Sequence, residues 1–237
     1  MIVYFPGCMA TYRAKDIAKS TIELLRRGGV EFELMGEDEW CCGSVMLRTG
    51  NVDLADELRK HNLDAFKKHE ADLVITSCSG CFKTIKQDYE KMTGSLDFEV
   101  RHVLEILKGL IEDGKLKFPK TEMKVTYHDP CHLGRHSGMY DIPRDILKSI
   151  SGIELVEMPR NRENARCCGA GGGVRAAYRE LSDKMADARI EEAMGTGAEV
   201  LTSACPFCTF ALREAAERKG SKIKVLDLPE LLMDIIE

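Results

Sequence analysis

Ten cysteines carry the chemistry legible in this 237-residue sequence, and they fall into two matching sets of five. The first set is Cys8, the adjacent pair Cys41-Cys42 followed by Gly43, and Cys78 with Cys81. The second is Cys131, Cys167-Cys168 followed by Gly169, and Cys205 with Cys208. Consecutive α-carbons stand about 3.8 Å apart, so two adjacent thiolates can reach neighbouring metals of one assembly, whereas a disulfide between them would strain the peptide. Iron-sulfur clusters are held by cysteine thiolates and tuned by hydrogen bonds to sulfur. Glycines after each pair let backbone N–H groups approach such a cluster closely. Structural zinc prefers four ligands in two close pairs, and a thioredoxin-like CxxC leaves three cysteines of each set unexplained. Four cysteines in one short run, the ordinary ferredoxin pattern, do not occur.

Composition sets the frame for that chemistry. At 44% hydrophobic and 31% charged residues the chain is globular in character, enough for one large or two small domains. A formal charge of -5, with no basic stripe interleaved with aromatics, excludes a general nucleic-acid surface. No apolar run has the length of a membrane span. The apolar start at residues 1–5 lacks the basic flank and cleavage pattern of a signal peptide and reads as a strand. In the reducing, cytoplasmic setting expected here thiols stay free, so clustered cysteines more often bind metal or do redox chemistry than form structural bridges.

The elements that must position the cysteines repeat with them. Strands predicted at 1–5 and 124–128 each lead through a proline to the first cysteine of a set. Helices follow at 16–26 and 142–150, then short strands at 31–35 and 153–158 ahead of the cysteine pairs. Longer amphipathic helices come next, at 53–68 and 174–194. Buried strands at 72–76 and 199–202 deliver each CxxC to the start of a helix. Each half closes with a strand, 96–100 or 222–226, and a helix, 102–111 or 229–236. Alternating strands and helices imply parallel sheets with right-handed crossovers. The predicted architecture is α/β, with two tandem pseudo-repeated domains at 1–117 and 118–237 joined by the polar stretch 113–119. Sites in open parallel sheets form at the carboxyl ends of the strands, where each cysteine group here falls.

Cys8, Cys41-Cys42-Gly43 and Cys78-x-x-Cys81, with their second copy, resemble the cysteine-rich CCG domain of heterodisulfide reductase catalytic subunits, B-type or the matching part of D-type. The resemblance covers nearly the whole chain. It implies two noncubane [4Fe-4S] clusters, one on Cys8, Cys41, Cys42, Cys78 and Cys81, the other on Cys131, Cys167, Cys168, Cys205 and Cys208, facing a shared cavity where a small disulfide is reduced. The domain also occurs in subunits of glycolate and lactate oxidation systems, which often lack cysteines in the final CxxC; Cys205 and Cys208 are both present here. The chain thus resembles the disulfide-reducing branch more closely, and the alternative is an electron-transfer component of such a dehydrogenase, without a disulfide substrate. The sequence carries no ferredoxin-like segment of the D-type kind. Electrons are thus expected from a separate ferredoxin-like iron-sulfur subunit, with a flavoprotein or membrane cytochrome behind it.

Three histidines lie near Cys131. Cleaving a disulfide with two electrons makes thiolates that need protons, which histidine supplies near neutral pH. His132, beside the cysteine, reads equally as a proton donor and as an ordinary helix residue; His128 reads as a strand-end cap, and His136 as an ordinary helix residue. Arg160, Arg162, Arg166 and Arg175 form either an anion-receiving group or a solvated face paired to Glu157 and Glu163. The glycine run 169–173 lacks dinucleotide spacing. Trp40 is expected in the core, where it would also shield a cluster from water.

Overall fold

Two parallel sheets, one from each half of the chain, define the architecture of the computed structural model, which describes residues 1–236. Glu237, the last residue of the predicted second domain, lies outside the described residues. The first half runs β1 (Ile2–Tyr4), α1 (Gly7–Tyr12), α2 (Lys15–Arg27), α3 (Ser44–Arg48), α4 (Val52–Lys68), β2 (Leu73–Thr76), α5 (Ser79–Lys83), a π-helical turn (Thr84–Tyr89), α6 (Glu90–Thr93), β3 (Glu99–His102) and α7 (Val103–Glu112). The second runs β4 (Met123–Tyr127), α8 (Asp141–Ser149), β5 (Ile153–Leu155), α9 (Val174–Ala177), α10 (Arg179–Met194), β6 (Val200–Ser203), α11 (Pro206–Arg218), β7 (Lys224–Asp227) and α12 (Leu228–Ile235).

Strand order is β1-β2-β3 in one sheet and β5-β4-β6-β7 in the other, every pair parallel. Val3 lies opposite Val74 and Val74 opposite Val100; Val125 lies opposite Val200 and Leu201 opposite Val225. Helices cover both faces of these strands, which explains their continuous apolar runs. The last strand of each half turns into its helix through the same device, a capping box. His102 and Glu105 form it before α7, Asp227 and Glu230 before α12. Such caps contribute about 1 kcal/mol each.

Four predicted elements change. The strand expected at 31–35 is a single bridge, Glu33 to Val3, because Gly36, at φ +59°, turns the chain into a 3₁₀ turn directly after it. Its counterpart leaves the sheet after Leu155, short of 158. The long helix at 174–194 breaks at Tyr178, whose φ of −137° ends α9 and starts α10. The strand at 96–100 begins only at Glu99, after a loop from Gly94. The two halves are nevertheless one packed body: α12 lies against α2 and α7 against α8, and the buried apolar residues of both form one continuous core.

Candidate metal centre

All ten cysteines line one cavity of about 230 Å³. The topology explains the convergence, since β1, β2, β4 and β6 all point their carboxyl ends at it. Cys8 follows β1 within α1, and Cys78 follows β2 as the residue capping α5, with Cys81 one turn inside. Cys131 follows β4, and Cys205 follows β6 as the cap of α11, with Cys208 inside its first turn. The two adjacent pairs arrive on loops. Gly43 and Gly169, both at φ +77°, then turn the chain toward α3 and α9. At Gly169 only a hydrogen fits: a Cβ would stand 2.7 Å from the carbonyl oxygen of Ser182 on α10.

Every cysteine is a free thiol and none is exposed. Cys8 Sγ lies 3.9 Å from Cys41 Sγ, and Cys168 Sγ 3.2 Å from Cys208 Sγ. Crowding splits their acidities. S–H donors from Cys42 and Cys8 hold Cys41 down at about 3, and those from Cys131 and Cys168 hold Cys167 at about 2. The donors are pushed up in turn, Cys42 to about 12 by its bond to Cys41. Cys205 is held far below the thiol range by Cys208 first, then by Cys78 of the other half, with the backbone N–H groups of Cys208 and Phe207 adding to this. Gly169 N–H reaches Cys167 Sγ at 3.3 Å. Ten sulfurs around one cavity, several already favoured as thiolates and met by backbone donors, suit sulfur-bound polynuclear metal; a single zinc would use four.

The halves are pinned at the cavity. Ser79 Oγ donates to the carbonyl oxygen of Ala204 at 2.5 Å, and Cys78 meets Cys205 across the boundary. His132 lines the cavity, and its Nδ1 lies 3.5 Å from where a Cβ on Gly80 would stand. His136 packs edge-on against it, ring centroids 5.3 Å apart; both lie in a turn, not in the helix expected for them. Met9, Ser44, Val45 and Phe207 complete the wall.

Several supports differ from the expectations. Trp40 is 42% exposed, stacked on His61 at 3.7 Å, instead of buried in the core. The four arginines are paired, but to other acids: Arg160 and Arg166 to Glu192, Arg162 to Asp141, Arg175 to Glu214. Glu157 instead serves Arg144, which is 1% exposed and also forms a bidentate pair with Asp129 at 2.7 and 2.9 Å. His128 is no simple cap. It is fully buried and its Nδ1 accepts from Arg189 Nε at 3.0 Å. Burial, then the Arg189 charge, lowers it to about 3. Nothing local in the sequence marks Asp129, Arg144 and Arg189 for this role, since their charges ordinarily signal a surface.

Fold and site together define an α/β protein with two internally repeated halves that bring five thiols each to one cavity. The chain belongs to the CCG cysteine-rich domain family, whose model matches residues 2–86 and 125–213. Over 96% of its length it is 47% identical to the D-type component of the dihydromethanophenazine:CoB--CoM heterodisulfide reductase of Methanosarcina acetivorans, of which it spans 57%. It is 36% identical to one component of the CoM/CoB fumarate reductase of Methanothermobacter marburgensis, over 98% of this chain and 45% of that one. A probable iron-sulfur-binding oxidoreductase of Bacillus subtilis is also 36% identical, over 97% of this chain and 33% of its own. The chain thus spans a third to just over half of these relatives. A hypothetical protein from Helicobacter pylori shares the fold alone, at TM-score 0.69 and 11% identity, over 99% of this chain and 48% of that one. Among the described residues no helix is long and apolar enough to cross a membrane.

Proposed function

We propose that this chain is the disulfide-reducing iron-sulfur part of a heterodisulfide-reductase-type complex. The observation that carries the reading is the single cavity lined by both cysteine sets. Cys8, Cys41, Cys42, Cys78 and Cys81 would hold one noncubane [4Fe-4S] cluster, and Cys131, Cys167, Cys168, Cys205 and Cys208 a second. When bound, these groups supply electrons and sulfur-seeking iron for splitting a small disulfide. The protein's own residues do the rest. Met9, Val45 and Phe207 exclude water from the cavity, and the bond from Ser79 to Ala204 fixes the spacing of the two halves. His132 stands at the wall as proton donor to a departing thiolate. Electrons come from a ferredoxin-like iron-sulfur partner, with a flavoprotein or membrane cytochrome upstream, and the free thiols suit the cytoplasm. The name of the heterodisulfide reductase relative supports the substrate class. We also place the boundary between the halves at 117/118, which limited proteolysis within 113–119 would check.

Iron and acid-labile sulfide after anaerobic purification test the cofactor: two four-iron sites give about eight of each per chain. Adding a disulfide to the reduced protein tests the reaction. The substrate should reoxidise the clusters and perturb their paramagnetic signal, whereas a pure electron relay is indifferent. His132→Gln should slow turnover with cluster content unchanged; unaltered turnover would remove its role.

A further inference from the structure

The cysteine repeat aligns Phe5 with His128, each three residues before the first cysteine of its set. Both are buried, but their neighbours differ. Phe5 packs its ring on Phe66, centroids 5.9 Å apart. His128 meets Arg189, which the repeat aligns with Asn62, since buried positions 55, 59, 62 and 66 of α4 match 182, 186, 189 and 193 of α10.

A guanidinium nitrogen only donates, so the bond from Arg189 Nε makes His128 Nδ1 the acceptor. The ring proton is thereby assigned to Nε2. That N–H is buried and has no partner in the protein, an arrangement that persists only where an acceptor completes it. Sulfur is what stands nearby: a ring nitrogen of His128 and the Sγ atoms of Cys168 and Cys208 lie within 4.8 Å of one another. With Nδ1 engaged by Arg189, Nε2 is the nitrogen left for them. The first half, with Phe5, has no donor at this position.

We propose that His128, oriented by Arg189, donates a hydrogen bond from Nε2 to sulfur of the second metal assembly and makes it the more easily reduced of the two. The added electron raises negative charge on sulfur, which an N–H donor and a buried cation stabilise. Electrons delivered to the chain therefore settle on the second assembly. His128 is a positioning and tuning residue here, not a metal ligand. The inference rests on the cluster reading above.

The test uses the reduced, cluster-loaded full chain in H₂O and D₂O, read by electron-nuclear double resonance and potentiometric titration. An exchangeable proton coupled to only one of two assemblies is expected. His128→Phe, which copies the first half, should abolish it and bring the two midpoints together, by about tenfold in the inter-site equilibrium or roughly 59 mV for a one-electron couple. His128→Gln keeps an N–H and should restore most of the gap. No such proton in the wild type overturns the proposal, as do unshifted midpoints in a loaded His128→Phe protein or nitrogen coupling strong enough for direct ligation. If His128→Phe does not load, the wild-type spectrum with ¹⁵N-labelled histidine decides alone. A chain lacking iron and sulfide brings down the cluster reading and this inference together; full loading without the proton overturns this inference only.

Discussion

The two halves place their cysteines alike and support them differently. Behind the first set lies an aromatic core, Phe5, Phe66 and Phe98, with ring centroids 5.0 to 5.9 Å apart. Behind the second lies buried charge, the Asp129–Arg144–Glu157 and His128–Arg189–Glu192 groups. The loop before Cys41 is tied through Asp38, which binds Lys68 and His69, and through Glu39, which accepts from Gly7 N–H. The loop before Cys167 hangs on Arg189, whose guanidinium holds the Arg160 carbonyl oxygen. The strand ends set where the sulfurs go, so the support behind them is free to diverge and to give each site its own electrostatics.

The largest break in that comparison should come at Arg144. Replacing it by alanine strands Asp129, a buried carboxylate, and should cost about 3–5 kcal/mol, measured by urea denaturation. Replacing Arg144, Asp129 and Glu157 together by apolar residues of similar size should cost far less. A small loss on Arg144→Ala would show that the network is incidental.

The paired glycines sharpen the contrast next. Gly43→Ala meets Ala55 at ordinary contact, 3.5 Å, so only its left-handed backbone is penalised, about 1–2 kcal/mol. Gly169→Ala meets backbone at 2.7 Å as well and should cost more than Gly43→Ala, with loss of iron confined to the second set. Equal effects in parallel denaturation and iron assays would contradict the tighter packing there.

The smallest effect lies in the loop before Cys41. Asp38 first, with Glu33 assisting, raises the His69 pKa. The charged form is favoured in the fold, so this stability is complete below the unfolded value of about 6.5 and is lost as pH rises through the higher folded value. His69→Gln should flatten stability between about pH 6 and 8 by less than about 1 kcal/mol. An unchanged pH profile would show that the clamp does not matter.

Much of this was legible in the sequence, because period-two and helical patterns with turn residues sit at matching places in both halves. The strands at β2 and β6 and the helices at α2 and α4 lie within a residue or two of expectation. What escaped depended on tertiary partners. Residues 31–35 have strand composition, but a neighbouring turn removes them from the sheet. Trp40 is outside because His61 offers it a flat partner. At the site the cysteines were fully readable, while Arg144 and Arg189 were not, since nothing local distinguishes a buried arginine from a solvated one. His128 was readable in part: its alignment with Phe5 already places an imidazole where the other half has a phenyl ring.

The helix α12 follows β7 of the second half yet packs on α2 of the first. During synthesis α2 is made some two hundred residues before that partner. Nascent chains fold from the front at ribosomal pace, so the opening half must wait with this flank uncovered. The cavity itself is lined only as far along the chain as Cys208, so early halting of translation before that point leaves a chain whose first five thiols are present but whose enclosure is not.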